Sequence, residues 1–163
     1  MRQSDDIERT MKVFADAVWR LCVMRFVQHP DAQDAFQETF LRYALADGVQ
    51  FQDDEHRKAW LLRVATNVCN DMCRKRTRHP ESPMDESLVN EMESCDEYSQ
   101  PSSARSEIID AMRVLGDPPR TELYLSLVEG YTAPEIAEMT GSPVNTVYSW
   151  ISRGKKQLRE ALA

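Results

Sequence analysis

No stretch of this 163-residue chain approaches the roughly 18–20 apolar residues that a membrane-spanning helix requires, so no membrane insertion is expected. Its first residues, "MRQSDDIERTMKVF", lack the apolar core of a signal peptide, and nothing in them argues for export. Four cysteines (Cys22, Cys69, Cys73, Cys95) stand at irregular spacings, unlike the framework of a disulfide-stapled secreted domain. Histidine occurs only at His29, His56 and His79. With no glycine-rich nucleotide loop and no plausible catalytic triad, enzyme chemistry has no support, and neither a cofactor nor a metal is expected. These absences describe a reduced, cytoplasmic, non-catalytic protein.

Two further absences are local. Residues 79–103, "HPESPMDESLVNEMESCDEYSQPSS", contain no Lys or Arg and seven acids (Glu81, Asp85, Glu86, Glu91, Glu93, Asp96, Glu97). Residues 1–78 carry 13 basic and 12 acidic groups, and residues 104–163 carry 7 and 8. The net charge of −7 therefore resides in that one segment, which has too little apolar surface to offset the entropy of ordering it. It reads as an acidic flexible linker between two near-neutral domains, 1–78 and 104–163. Fully extended, its 25 residues span at most roughly 80–90 Å.

The second absence is of carboxylates in "TGSPVNTVYSWISRGKKQLR", residues 140–159. The surrounding pattern is helical throughout. "SSARSEIIDAMRVL" places Ile108, Ile109, Met112 and Leu115 at helical spacing. "DPPRTELYLSLVEG" starts with Asp117 as an expected N-cap and prolines in the first turn, and it ends near Gly130. "TAPE" supplies a capping box from Thr132 and Glu135. Gly141 is placed to stop the short helix that follows, Ser142 to cap the last helix and Pro143 to open it. Two helices joined by so tight a turn make a helix-turn-helix.

On a wheel with Val147 at 0°, Ile151, Leu158 and Val144 fall within about 60° of it. Asn145, Thr146, Ser149, Arg153 and Lys156 fall between about 160° and 260°. Short polar groups come first and long cations follow, with Lys155 adding to the cationic run. Such a face suits the major groove, where small hydrogen-bonding groups meet base edges and cations meet phosphates. Tyr148 and Trp150 flank the apolar stripe and are expected to pack at the core edge.

The first domain repeats the theme. In "HRKAWLLRVATNVCNDMCRKRTRH", Leu61, Ala65, Val68 and Met72 share one face, while Arg63, Asn67, Asn70 and Arg74 share the opposite one. Arg74, Lys75 and Arg76 begin a cationic cluster that also suits a helix C-terminus. Upstream, "DAQDAFQETFLRYAL" turns Phe36, Phe40 and Tyr43 or Ala44 inward. It sets Asp34, Gln37, Glu38 and Leu41 on a neighbouring face fit to dock on another protein's helices. Cys69 and Cys73, four residues apart, could supply two ligands of a tetrahedral site. No second pair has suitable spacing, so both are expected as buried small hydrophobes.

Three stretches, "DAQDAFQETFLR", "KAWLLRVATNVCND" and "EGYTAPEIAEMTGSPVNTVYSWISRGKKQLRE", occur in this order with a charged linker between the second and third. Together they resemble the extracytoplasmic-function (ECF) sigma factors, the compact two-domain class of the sigma-70 family. The resemblance implies an all-α fold of two small helical domains, the second a helix-turn-helix. It implies docking on core RNA polymerase through Asp34, Gln37, Glu38 and Leu41. Promoter DNA would meet Arg63, Asn67, Asn70, Arg74, Lys75 and Arg76 at the minus-ten element, and Asn145, Thr146, Ser149, Arg153, Lys155 and Lys156 at the minus-thirty-five element. An anti-sigma protein is a further partner the family commonly has. Two departures stand out: Tyr148 and Trp150 occupy positions where family members often carry Lys and Arg, and acids Asp53, Asp54 and Glu55 lie beside the expected single-stranded DNA. A stand-alone helix-turn-helix regulator is the alternative reading, but it leaves the Asp34–Glu38 face and the second basic helix unexplained.

Overall fold

The computed structural model describes residues 1–78, 103–116 and 119–163. It is all-α, with seven helices and no strand among the described residues. The chain divides into two compact units, Met1–Gln100 and Pro101–Ala163. Almost all of the expected linker, 79–102, lies outside the described residues, while Ser103 opens a helix.

The first unit contains α1 (Ser4–Arg25), α2 (His29–Leu45) and α3 (Asp54–Arg78), each packed against the other two. Its core joins Val18, Leu21 and Met24 of α1, Ala35, Phe36, Phe40 and Tyr43 of α2, and Leu61, Leu62, Ala65 and Val68 of α3. Burying each large aliphatic side chain stabilises the fold by about 1.5–3 kcal/mol. The expected inward set of α2 is fully realised: Phe36, Phe40, Tyr43 and Ala44 are all buried. In α3, Leu61, Ala65 and Val68 are buried, but Met72 is only half-buried.

One polar network links α1 and α2. The Tyr43 hydroxyl donates to Asp6 Oδ1 at 2.7 Å and lies 2.9 Å from Thr10 Oγ1. Burial pushes the Asp6 carboxyl up, but hydrogen bonds from Tyr43, Arg2 and Thr10 outweigh it and hold the group below the usual carboxylate range.

Arg2 closes the end of α2. Its Nε donates to Tyr43 O at 3.0 Å, and its Nη2 donates to Ala46 O at 2.8 Å and Val49 O at 2.7 Å. Carbonyls at a helix C-terminus have no partner within the helix, and a cation satisfies both their lone pairs and the macrodipole. The guanidinium also lies 4.4 Å from the Tyr43 ring centroid.

The second unit contains α4 (Ser103–Met112), α5 (Arg120–Leu127), α6 (Ala133–Thr140) and α7 (Val144–Leu162). Ile109, Met112 and Leu115 are buried as the spacing predicts; the side chain of Ile108 and the expected Asp117 cap lie outside the described residues. Pro119 takes the N-cap position of α5. The capping box of α6 is present in both directions: Glu135 N donates to Thr132 Oγ1, and Thr132 N donates to Glu135 Oε1 at 3.0 Å. Gly141 ends α6 at φ 73°, in the left-handed region that glycine occupies without penalty.

The start of α7 differs from the sequence expectation. Pro143 is the N-cap, in extended backbone, and no side chain caps the helix, so Ser142 does not serve that role. The proline's missing N–H costs nothing there, and its fixed φ suits the extended cap. Further along, Val147, Ile151, Gly154 and Leu158 form the buried stripe at spacings of four, three and four. Gly154 lets α7 approach α5 closely: a Cβ at that position would lie 3.1 Å from Leu123 Cδ2.

Candidate nucleic-acid interface

The outward face of α7 begins where the buried stripe ends. Asn145, Ser149, Arg153, Lys155 and Lys156 are exposed and Thr146 is half-buried. Among the described residues none of the three cations makes an ion pair. The first carboxylate on α7 is Glu160, four residues beyond Lys156 and at the far end of the helix. The N-terminal turns therefore present small polar groups and the middle turns present uncommitted charge.

Two side chains on α7 depart from the sequence reading. Val144, placed in the apolar stripe by the wheel, is 36% exposed. Tyr148, expected at the core edge, is 56% exposed, whereas Trp150 is half-buried. At about 100° from Val147, Tyr148 clears the packing surface, while Trp150 at about 300° stays beside Gly154.

On α3, Arg63, Asn67 and Arg74 are exposed and Asn70 is half-buried, so the four polar residues do line one side. Their commitments differ. Arg63 makes no ion pair among the described residues, whereas Arg74 Nη2 lies 2.5 Å from Asp71 Oδ1. Lys75 is exposed and unpaired among the described residues. Arg76 lies off this face: it pairs with Asp31 of α2 and its Cζ sits 5.7 Å from the Phe26 ring centroid. The helical period explains this, since Arg76 falls about 60° from Leu61, on the packed side. Arg76 is exposed like Arg74 and Lys75, but its guanidinium is already engaged by Asp31.

The acidic residues ahead of α3 have structural partners. Asp53 Oδ1 accepts from His56 N at 2.8 Å, as an N-cap does. Asp54 is held by Arg9 at 2.8 Å and Arg57 at 2.7 Å; the Arg9 hydrogen bond leads in keeping its carboxyl below the ordinary range. Only Glu55 of the three has no such commitment. Behind the loop, Phe51 stacks on Tyr43 at 6.1 Å and meets Trp60 edge-on at 5.7 Å. An aromatic cluster thus adjoins the start of α3.

On α2, Asp34, Gln37 and Leu41 are exposed and Glu38 is half-buried. Leu41 is 52% exposed and Leu45, four residues on, is 61% exposed. Acidic, amide and apolar groups thus lie together on one free helix face. Leu45 extends the row beyond the sequence-derived set; its apolar character one turn after Leu41 was the available signal.

Among the described residues no group of three or more His, Cys, Asp or Glu side chains could hold a metal ion. Cys22 and Cys69 are buried side by side between α1 and α3, and the contact with Cys69 followed by burial pushes the Cys22 thiol well up. Cys73 is exposed, contrary to its expected burial, and receives an Arg25 Nη2 contact at 3.8 Å. No described helix is long and apolar enough to cross a membrane.

Two family models match this chain. Residues 12–79 match the family model described as Sigma-70 region 2, and residues 105–158 match that described as Sigma-70, region 4. The chain is 30% identical over 159 residues to the ECF RNA polymerase sigma factor SigE of Mycolicibacterium smegmatis, a match covering 96% of this chain and 61% of that relative. It is 29% identical over 163 residues to the ECF RNA polymerase sigma factor SigW of Bacillus subtilis, covering 92% and 85%. Among solved structures, the sigma factor RpoE in complex with the anti-sigma factor NepR from Bartonella quintana aligns with a TM-score of 0.72 at 21% identity, over 96% of each chain. CnrH in complex with the cytosolic domain of CnrY aligns with a TM-score of 0.64 at 20% identity, over 98% of this chain and 89% of that one.

Proposed function

The chain belongs to the extracytoplasmic-function sigma factors of the sigma-70 family, and we propose that it binds core RNA polymerase and directs it to promoters through two helical DNA-reading surfaces. The α2 row of Asp34, Gln37, Glu38 and Leu41, extended by Leu45, docks on the polymerase. The α3 face, carried by Arg63, Asn67, Asn70 and Arg74 with Lys75 at its end, engages the minus-ten element. The α7 face, carried by Asn145, Thr146, Ser149, Arg153, Lys155 and Lys156, reads the minus-thirty-five element. The chain acts by binding in the cytoplasm and carries out no covalent chemistry.

One observation supports this reading most: Leu61, Ala65 and Val68 of α3 and Val147, Ile151 and Leu158 of α7 are buried, while Arg63, Asn67 and Lys75 on the one helix and Asn145, Ser149, Arg153 and Lys156 on the other face solvent. Such a surface meets duplex DNA by matching cations to phosphates and short polar groups to base edges. Melted strand at the minus-ten element asks for similar groups beside an aromatic support, which Phe51 and Trp60 supply. An anti-sigma protein is the third partner proposed, supported by the similar sigma factor RpoE in complex with the anti-sigma factor NepR.

A stand-alone helix-turn-helix regulator would need only the second unit. The exposed Leu41 and Leu45 beside Asp34 and Gln37 on α2 favour the polymerase-docking reading over it. The test is reconstitution. Added to core polymerase, the chain should produce start-site-specific transcription from promoters that core polymerase alone ignores. Tight binding of an operator-like duplex without polymerase, and no gain in initiation with it, would favour the regulator instead.

A further inference from the structure

Val144 and Tyr148 stand one turn apart on α7 and display apolar surface to water, 36% and 56% exposed. Their setting is unusual for an apolar pair. Asn145, Ser149 and Ser152 are exposed around them, Arg153, Lys155, Lys156 and Arg159 follow, and no carboxylate occurs from Val144 to Arg159. Tyr148 is three residues from Asn145 and four from both Val144 and Ser152, so its ring lies among these side chains on one surface.

The charge selects the occupant. A protein groove that accepted Val144 and Tyr148 would have to take in the neighbouring cations as well. A polyanion carrying isolated apolar groups satisfies both requirements. The major groove of DNA is such a surface, bounded by phosphates, with the thymine 5-methyl as the apolar mark on its floor.

We propose that Val144 and Tyr148 read thymine methyl groups in the upstream promoter element, making Tyr148 a specificity-determining residue of this helix. The inference rests on the assignment of α7 to that element and refines it. Cations hold the helix on the backbone, Asn145 and Ser149 hydrogen-bond base edges, and the Val144–Tyr148 pair distinguishes thymine from cytosine by contact. Loss of the Tyr148 ring is therefore selective for sequence, whereas loss of Lys156 weakens all sequences alike.

The experiment uses the full chain assembled with core polymerase on a promoter it initiates from. Each thymine of the upstream element is replaced in turn by deoxyuridine, which removes only the methyl group. At one or two positions the replacement should weaken holoenzyme binding about three- to fivefold. Tyr148→Ala should bind thymine and deoxyuridine promoters equally at one of those positions, while Tyr148→Phe keeps the difference. If no deoxyuridine substitution matters, or if Tyr148→Ala and Val144→Ala both retain the full difference, the proposal is overturned. Indifference to scrambling the whole upstream element overturns the α7 assignment and the proposal together. Sensitivity to scrambling without methyl dependence overturns the Val144–Tyr148 assignment alone.

Discussion

Arg42 joins Glu38 to Asp71: its Nε donates to Glu38 Oε1 at 3.1 Å and its Nη2 lies 3.5 Å from Asp71 Oδ2. Asp71 in turn holds Arg74. A line of alternating charge thus runs from the proposed docking face of α2 to the proposed DNA face of α3. All four side chains are partly exposed, so each link contributes about 0–1 kcal/mol. The line matters less for stability than for where it holds the Arg74 guanidinium.

Reversing charge at either end should separate the two functions. Arg74→Glu places a second carboxylate beside Asp71 and removes a phosphate partner, so open-complex formation should fall about tenfold or more while core polymerase binding persists. Glu38→Lys should weaken core polymerase binding instead. Competition for core polymerase and permanganate mapping of the melted region read these separately. Two variants that dock and initiate normally would reject the assignment of roles.

Gly141→Ala forces a Cβ into the left-handed region at φ 73° and should destabilise the second unit by about 1 kcal/mol. Gly154→Leu should cost more, about 1–3 kcal/mol, because Leu123 Cδ2 and Pro119 Cγ already line the space a side chain would enter. Thermal unfolding of both variants gives the order; a Gly154→Leu protein as stable as the parent would contradict the close α5–α7 approach.

The lowered pKa of Asp6 makes a pH-dependent contribution to the first unit. A carboxyl held below its unfolded value stabilises the fold fully above that value, and the contribution is lost as pH falls through the folded one. Asp6→Asn should therefore lower the Tm at neutral pH, and the gap to the parent should close below about pH 4. A gap that stays constant from pH 7 to pH 3 would remove the charge from the explanation.

Thiol accessibility should follow the burial pattern rather than the sequence spacing. In a Cys95→Ser background, Cys73 should react with a maleimide in the native state, and Cys22 and Cys69 only after unfolding. Purified protein should carry far less than one zinc per chain. Stoichiometric zinc would revive the Cys69–Cys73 ligand pair.

Periodicity made most of this fold legible. The α6 capping box and the Gly141 stop are local devices, written in adjacent residues, and both stand where the spacing puts them. Misplacements occurred where tertiary context decides. Val144 satisfies the apolar period, yet it is 36% exposed while Val147, in the same turn, is fully buried. Ser142 has the chemistry of a cap, but the chain passes through Pro143 in extended backbone before helix begins. Arg76 belongs by sequence to a cationic run, and only the fold reveals Asp31 and Phe26 as its neighbours. Arg2 was silent for the same reason: its partners are carbonyls more than 40 residues away.

Proximity mapping from the two proposed DNA faces tests the account most directly. A chain with Cys73→Ser and Cys95→Ser, keeping the buried Cys22 and Cys69, receives a single new thiol at Asn67→Cys or Ser149→Cys. Each thiol is then tagged with a DNA-cleaving iron chelate and assembled with core polymerase on a promoter. Cuts centred on the minus-ten element from position 67 and on the minus-thirty-five element from position 149 are the predicted result. Cutting confined to one element from both positions, or none above untagged protein, would contradict it.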